Sequence, residues 1–370
     1  MNSESLLKST SEVELLSAQV APDVERWNCY VENSCTPDTY YRPQYVRAYG
    51  REPGELTIAA IVPTTNNRFL LPLVVRPVPI SDEGDFDAIT PYGYGGVLPL
   101  DHRVVNTADA GELMSKLLSF CRDRNIVSLL VRLHPQLMQH EWLQPVLQEY
   151  VALVYHGKTT AIDCLQWDEF TDVPVGLARD RRSNLNRACR ELTVQRLEGG
   201  TRACDAGLET FRSIYELTMD RLRASDFYMF KKSYYSLLCH GLGREMCVIN
   251  ALCKSQVVGS AIFFSQGEFA HYHLSGTTDE GRKFKAGTLI LVEAARWARE
   301  RGCHSLHLGG GTHADDSLFR FKQSFGGPTY QYHFLTAITQ PTRYMALTEL
   351  RNNSSALPPP RANFFPRYRA

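Results

Sequence analysis

The sequence predicts an α/β protein made of two similar domains. Three observations carry this. Short apolar runs alternate with stretches of helical period in the order strand, strand, strand, helix, strand, helix, strand. That order occurs twice, with negligible residue identity between the copies. Between them, Pro174 and Gly176 punctuate the chain near "CLQWDEFTDVPVG".

In the first half "ELTIAAIV" and "RFLLPLVVRPV" read as strands around a turn at Thr64 to Asn67. "DFDAITPYGYGGVLP" is a third strand interrupted by glycines. "GELMSKLLSFCRDRN" is a helix, "IVSLLVRLHP" a strand, "WLQPVLQEY" a short helix broken at Pro145, and "VALVYHGKTTAID" a closing strand. In the second half "EMCVINALCKSQ" and "VVGSAIFFSQ" are strands. "EFAHYHLSGT" alternates, with Phe269, His271 and His273 on one face and Ala270, Tyr272 and Leu274 on the other. "GTLILVEAARWARERG" is helical and stops at Gly302; "HSLHLGGG", "DDSLFRFKQSF" and "TYQYHFLTAIT" follow as strand, helix and final strand. The boundaries expected are an N-terminal segment 1–24, domains 25–170 and 171–340, and a Pro-rich tail 341–370, extended or disordered at its end.

Bulk composition excludes some classes. Lys+Arg and Asp+Glu balance at 40 each, so no net field recruits nucleic acid or an anionic membrane. No apolar run is long enough for a membrane helix, and "MNSESLLKSTSEVELL" lacks the layout of a secretory signal. The ten cysteines show no C-x-x-C spacing, which fits reduced, mostly buried thiols in a cytoplasmic protein.

"LHLGGGTHADDSLFRFKQSFGG" is the most unusual stretch. No lysine follows the glycines in P-loop spacing, and no dinucleotide fingerprint surrounds them. Gly309, Gly310 and Gly311 instead let a backbone or ligand approach a strand end. Asp315 or Asp316 caps the next helix, whose core stripe is Leu318, Phe321 and Phe325. Lys322 beside that stripe either snorkels to water or aims into a cleft. "GRKFKAGT" places Arg282, Lys283 and Lys285 before a helix start at Gly287 and Thr288, where a phosphate would be favoured; a plain surface loop has the same composition. His271 and His273 lack the partners of a metal site, so no metal is expected, while His273 suits hydrogen bonding or proton transfer. Tyr92 and Tyr94 on a glycine-opened backbone suit a substrate wall. "LARDRRSNLNRACREL", with Arg179, Arg181, Arg182, Arg187 and Arg190, is a solvated basic helix or a surface for a phosphorylated donor.

These pieces resemble the Fem-type, FemAB-like transferases of the GNAT (Gcn5-related N-acyltransferase) superfamily. The resembling stretches are "TPYGYGGVLP", "RSNLNRACRELTVQ", "FYMFKKSYYSLL", "HYHLSGTT", the helix after it, and above all the L-x-x-F-K-x-x-F-G element at Leu318 to Gly326. The resemblance implies two tandem GNAT-like domains, each a mixed, mostly antiparallel sheet flanked by helices. It implies transfer of an acyl or aminoacyl group to the primary amine of a small molecule, amino sugar or peptide. The donor would be an acyl-thioester of the acyl-CoA type or an aminoacyl-tRNA, with no permanently bound cofactor. Incomplete acyl-CoA glycines in "GRKFKAGT" leave the donor open; absent coiled-coil heptads tilt away from tRNA. A splayed slot between "HYHLSGT" and "HLGGG" would hold the donor, with Arg282, Lys283, Lys285, Gly287, Thr288 and Ser275 contacting it. Lys322 would stabilise charge, His273 or Tyr272 would take a proton, and Tyr92, Tyr94, Tyr228, Gly309, Gly310, Gly311 and Asp316 would line the substrate site. A non-catalytic binding protein on the same fold is the competing reading.

Overall fold

The computed structural model describes residues 12–311, 313, 316–354 and 364–370. In chain order the main strands are β1 Glu14–Ser17, β2 Leu56–Pro63, β3 Arg68–Pro77, β4 Phe86–Ile89, β5 Ile126–Arg132, β6 Val151–Asp163, β7 Thr193–Glu198, β8 Met246–Cys253, β9 Gln256–Gln266, β10 Phe269–Thr277, β11 Ser305–Gly309 and β12 Thr329–Ile338. The main helices are α1 Ala21–Glu32, α2 Thr107–Arg122, α3 Arg179–Glu191, α4 Arg202–Leu222, α5 Lys232–Leu242, α6 Asp279–Lys283, α7 Ala286–Glu300, α8 Ser317–Gln323 and α9 Pro341–Asn353.

The chain divides into two compact units, Met1–His156 with Gln331–Ala370, and Gly157–Tyr330. In the first, the strands run β1-β2-β3-β4-β5-β12, antiparallel except for the β4–β5 pair. β2 shows why its sequence is apolar throughout. Ile58, Ala60 and Val62 pack toward Leu113, Met114 and Leu117 of α2, while Ala59 and Ile61 pack toward Trp27 and Val31 of α1. A strand covered on both faces needs no polar alternation. α2 starts where the Asn106 side chain accepts a hydrogen bond from Asp109 N.

In the second unit the order is β6-β11-β10-β9-β8-β7, with residues 160–163 of β6 at the edge and only β10–β11 parallel. α3 and α7 cover one face, burying Leu185, Ala188, Leu291, Ala295 and Trp297 with Ile249, Ala261 and Phe263. α4 packs on β9 and β10 through Phe211 and Tyr215, residues outside that cluster.

The structure corrects the element order in one respect. The final strand, assigned from sequence to the second half, pairs with β5: Phe334–Ile338 face Ser128–Arg132 in the first unit. Conversely, β6, read as closing the first half, gives Thr160–Asp163 to β11. The two closing strands are exchanged, so the compact units differ from the 25–170 and 171–340 boundaries. β1 and α1 lie in or next to the expected N-terminal segment, and α9 occupies the start of the expected tail, with Tyr368 buried beyond it. Residues 355–363 of that tail lie outside the described residues, while Arg367–Arg369 form a 3-10 turn where an extended or disordered end was expected. The segment at "WLQPVLQEY" is helical at Gln139–Leu143 and then turns 3-10 over Gln144–Val146. None of the ten cysteines is in a disulfide, and six are buried.

Candidate active site

The site is built on the one parallel pair of the second unit. β10 and β11 share three Cα partners, Phe269↔Ser305, Ala270↔Leu306 and His271↔His307. β10 then continues to Thr277 without β11 beside it, so the strands part after His271. A parting pair leaves backbone N–H and C=O groups unused by the ladder, and these are the groups a substrate can take up.

Lys322 lies at the mouth of this gap. α8 begins at Ser317, capped by Asp316, whose side chain accepts from Phe319 N at 2.7 Å and from His313 N at 3.1 Å. From that start the buried positions are Phe319, Lys322 and Phe325, at 2%, 8% and 0% exposure. The expected stripe is thus corrected: Leu318 is exposed and Phe319 takes its place, which turns Lys322 inward. Asp315, the alternative cap, lies outside the described residues. Lys322 Nζ donates to Gly310 O at 2.7 Å, just past the end of β11, and sits 5.6 Å from the Tyr272 ring centroid. Burial lowers its pKa to about 8, opposed in part by Asp316.

Tyr272 is the first residue of β10 beyond the last paired position. Its ring stacks on Phe263 at 5.5 Å, its hydroxyl is hydrogen-bonded to Ser275 Oγ, and burial raises its pKa. Residues three apart on a strand ordinarily face opposite ways. Here a β-bulge intervenes: Ile262 pairs with Leu274 and Phe263 with Tyr272, leaving His273 as the extra residue. The bulge also corrects the alternation read from sequence. Leu274, opposite Ile262, lies outside the cluster that holds Phe263 and Tyr272.

His273 faces away from Lys322 and Tyr272. It packs on Phe264 at 4.6 Å, and its Nε2 is 2.6 Å from the Tyr234 hydroxyl of α5. The three expected catalytic side chains therefore fall into two groups, Lys322 with Tyr272 and Ser275, and His273 with Tyr234. Tyr234 was not singled out from sequence, although "KKSYYSLL" contained it.

The expected phosphate loop is mostly helix. Arg282 and Lys283 belong to α6, capped by Thr278; Arg282 is held by Asp279 at 2.7 Å, and Lys283 Nζ lies 5.5 Å from the Phe284 ring centroid. Lys285 breaks the chain in the left-handed region, with φ of 65°, and α7 starts at Ala286 without a side-chain cap. Thr288 is buried in its first turn. Gly287 is half-buried, and a Cβ there would lie 3.9 Å from Phe321, so α8 sits against the start of α7.

The three glycines serve close approach. Gly309 has a φ of 74°, a Cβ on Gly310 would lie 2.7 Å from Lys158 O, and one on Gly311 would collide with Asp316. Asp316 is occupied as a cap. Tyr228 is half-buried and its carbonyl accepts from Tyr215 OH at 3.0 Å. Tyr92 and Tyr94 are half-buried in the first unit, where Tyr92 O accepts from Tyr45 OH at 2.6 Å and the Tyr94 ring lies 4.9 Å from Tyr332.

A sheet with this parted pair, its glycine-ended strand and its following helix defines a GNAT-fold protein. In agreement, residues 179–323 match the family model described as an acetyltransferase (GNAT) domain. The likeness to Fem-type proteins extends over most of the chain. A crystal structure of FemX superposes with a TM-score of 0.66 at 12% identity, covering 87% of this chain and 97% of that one. A conserved protein of unknown function from Bacteroides thetaiotaomicron VPI-5482 gives 0.57 at 9% identity, over 86% and 97%. A tandem GNAT protein from the clavulanic acid biosynthesis pathway gives 0.46 at 12% identity, over 89% and 99%. No curated protein matches the sequence.

Proposed function

We propose that the chain is a cytoplasmic N-acyltransferase that moves an acyl group from an acyl-thioester of the acyl-CoA type to a primary amine. The observation that carries this is the parting of β10 and β11 after His271, with buried Lys322 and the Tyr272–Ser275 hydroxyl pair at its open end. The amine nitrogen attacks the thioester carbonyl, the new C–N bond forms and the C–S bond breaks. Holding both reactants in line supplies much of the rate. N–H groups of β10 beyond its last position paired with β11 face the developing oxyanion, and protonated Lys322 offsets negative charge on the oxyanion or the leaving thiolate. The amine enters from the face of β10 opposite Lys322, where His273, held by the Tyr234 hydroxyl, takes its proton. The start of α7, with Lys285, Gly287 and Thr288, receives the donor's phosphates; Arg282 and Lys283 lie one turn away on α6.

An aminoacyl-tRNA donor is the second reading, supported by the fold likeness to FemX and the basic face of α3. Labelled acetyl-CoA and labelled aminoacyl-tRNA, each offered with a panel of primary amines, separate the two. Transfer from acetyl-CoA that survives ribonuclease supports the thioester. Transfer from tRNA alone replaces it with the second reading, and transfer from neither donor overturns both.

A further inference from the structure

The first unit holds an arginine with no counter-ion of its own. Arg132 ends β5. Its backbone N–H donates to Thr90 Oγ1 at 2.9 Å, and its Nη1 donates to Thr90 O at 2.7 Å. Among the described residues, that carbonyl is the one hydrogen-bond acceptor of its guanidinium, and no carboxylate forms an ion pair with it. The groups that reach it electrostatically are the phenols of Tyr332, Tyr92 and Tyr49, the cation of Arg76 and the imidazole of His156. Asp87 is already committed to Arg76, at 2.7 Å, and to Arg369. Nor does a tyrosinate compensate it, because burial holds the Tyr332 phenol well above its usual pKa and therefore neutral.

The surroundings are those of a binding wall. Tyr94 packs on Tyr332 at 4.9 Å and on Tyr40 at 6.1 Å; Tyr332 OH is fixed on Gly93 O at 3.1 Å. On another side the Phe334 ring lies 5.8 Å from the guanidinium carbon and is stacked by His156 at 4.3 Å. Arg132, Tyr92, Tyr94 and Phe334 keep part of their surface open, and His156 is exposed, so the cluster can be reached from solvent.

A partly desolvated cation whose only hydrogen-bond acceptor is a neutral carbonyl is costly to keep, and an anion from outside lowers that cost. One guanidinium among phenols, with neighbouring Arg76 already paired to Asp87, suits a single negative charge better than a phosphate dianion. The planar fork matches a carboxylate, and the Phe334–His156 stack offers a flat surface to the group that bears it. We infer that Arg132 and the tyrosines around it form a binding site for the carboxylate of a small molecule. This site lies in the unit that lacks Lys322 and stands independently of the acyl-transfer reading.

The test uses the full chain and benzoate as probe, with inorganic phosphate and chloride as comparison anions. Arginine side-chain NMR on the wild type should show one guanidinium Nε resonance that moves with saturation on benzoate addition. Arg132→Met should remove that resonance and weaken benzoate binding by about tenfold or more, the loss expected for a charged hydrogen-bonding partner. It should leave the ligand-free melting temperature unchanged or higher, because a half-buried charge without a counter-ion is gone. The proposal fails if no arginine resonance responds to benzoate, or if Arg132→Met binds it unchanged. It fails equally if phosphate or chloride at the same concentration shifts the resonance as strongly. If the variant does not fold, the wild-type resonance and its anion preference decide alone.

Discussion

Lys322 is a cation held largely away from water, at 8% exposure, and both its activity and its stability signatures follow from that. Burial lowers its pKa from 10.5 to about 8. Between those values the unfolded chain carries a proton that the folded chain has lost, so stability should rise with pH across that window and be flat below it. A Lys322→Met variant should lack the rise, as measured by urea midpoints from pH 7 to 10.5. If the protonated form assists transfer, kcat/KM should fall as pH climbs through about 8, and Lys322→Arg should carry activity past that point. A pH profile identical in wild type and both variants removes Lys322 from the chemistry. The sequence showed this lysine because it interrupts an aromatic stripe. It could not show that the helix starts at Ser317, and that one-residue phase turns Lys322 in and Leu318 out. Arg132 had no such signal; an arginine ending an apolar strand is ordinary until the missing carboxylate is seen.

At the level of elements, close backbone approach sets which glycines matter. Gly276 of β10 lies under α4, where an added Cβ would sit 2.7 Å from Ile214 O and 2.8 Å from Tyr215 N. Gly276→Ala should lower stability by about 1–3 kcal/mol, since neither backbone can give way cheaply. Gly111 inside α2 is the contrast: its nearest neighbour would be a Val146 methyl at 3.9 Å. Gly111→Ala should raise stability by about 0.5–1 kcal/mol through helix propensity. Equal midpoints for the two variants in urea would contradict the packing account. Most strands were legible because β2, β3, β8 and β9 each carry a long apolar run, and α2 and α7 because their stripes repeat at helical period. The bulge at His273 was not, since one extra residue leaves composition unchanged and only reverses the faces after it. α9 was hidden for a related reason: it is amphipathic too weakly to announce itself beside a Pro-rich tail.

Over the whole molecule, repeated element order revealed two similar α/β units, but order alone could not say with which sheet each closing strand pairs. β12 completes the first unit, placing Leu335 and Ala337 in its core, although it follows every strand of the second in sequence. A chain ending at Tyr330 should therefore keep the second unit and lose the first. Limited proteolysis should digest residues before Gly157 and spare the rest, and equal protection of both parts would refute this. The same exchange has a consequence for synthesis on the ribosome. The second unit has all its strands once Tyr330 has emerged, whereas the first must wait, open at β5, for the last strand to leave the tunnel. The half of the gene translated first thus encodes the half of the protein that can close last, and its unpaired β5 edge is what a nascent-chain chaperone would have to shield.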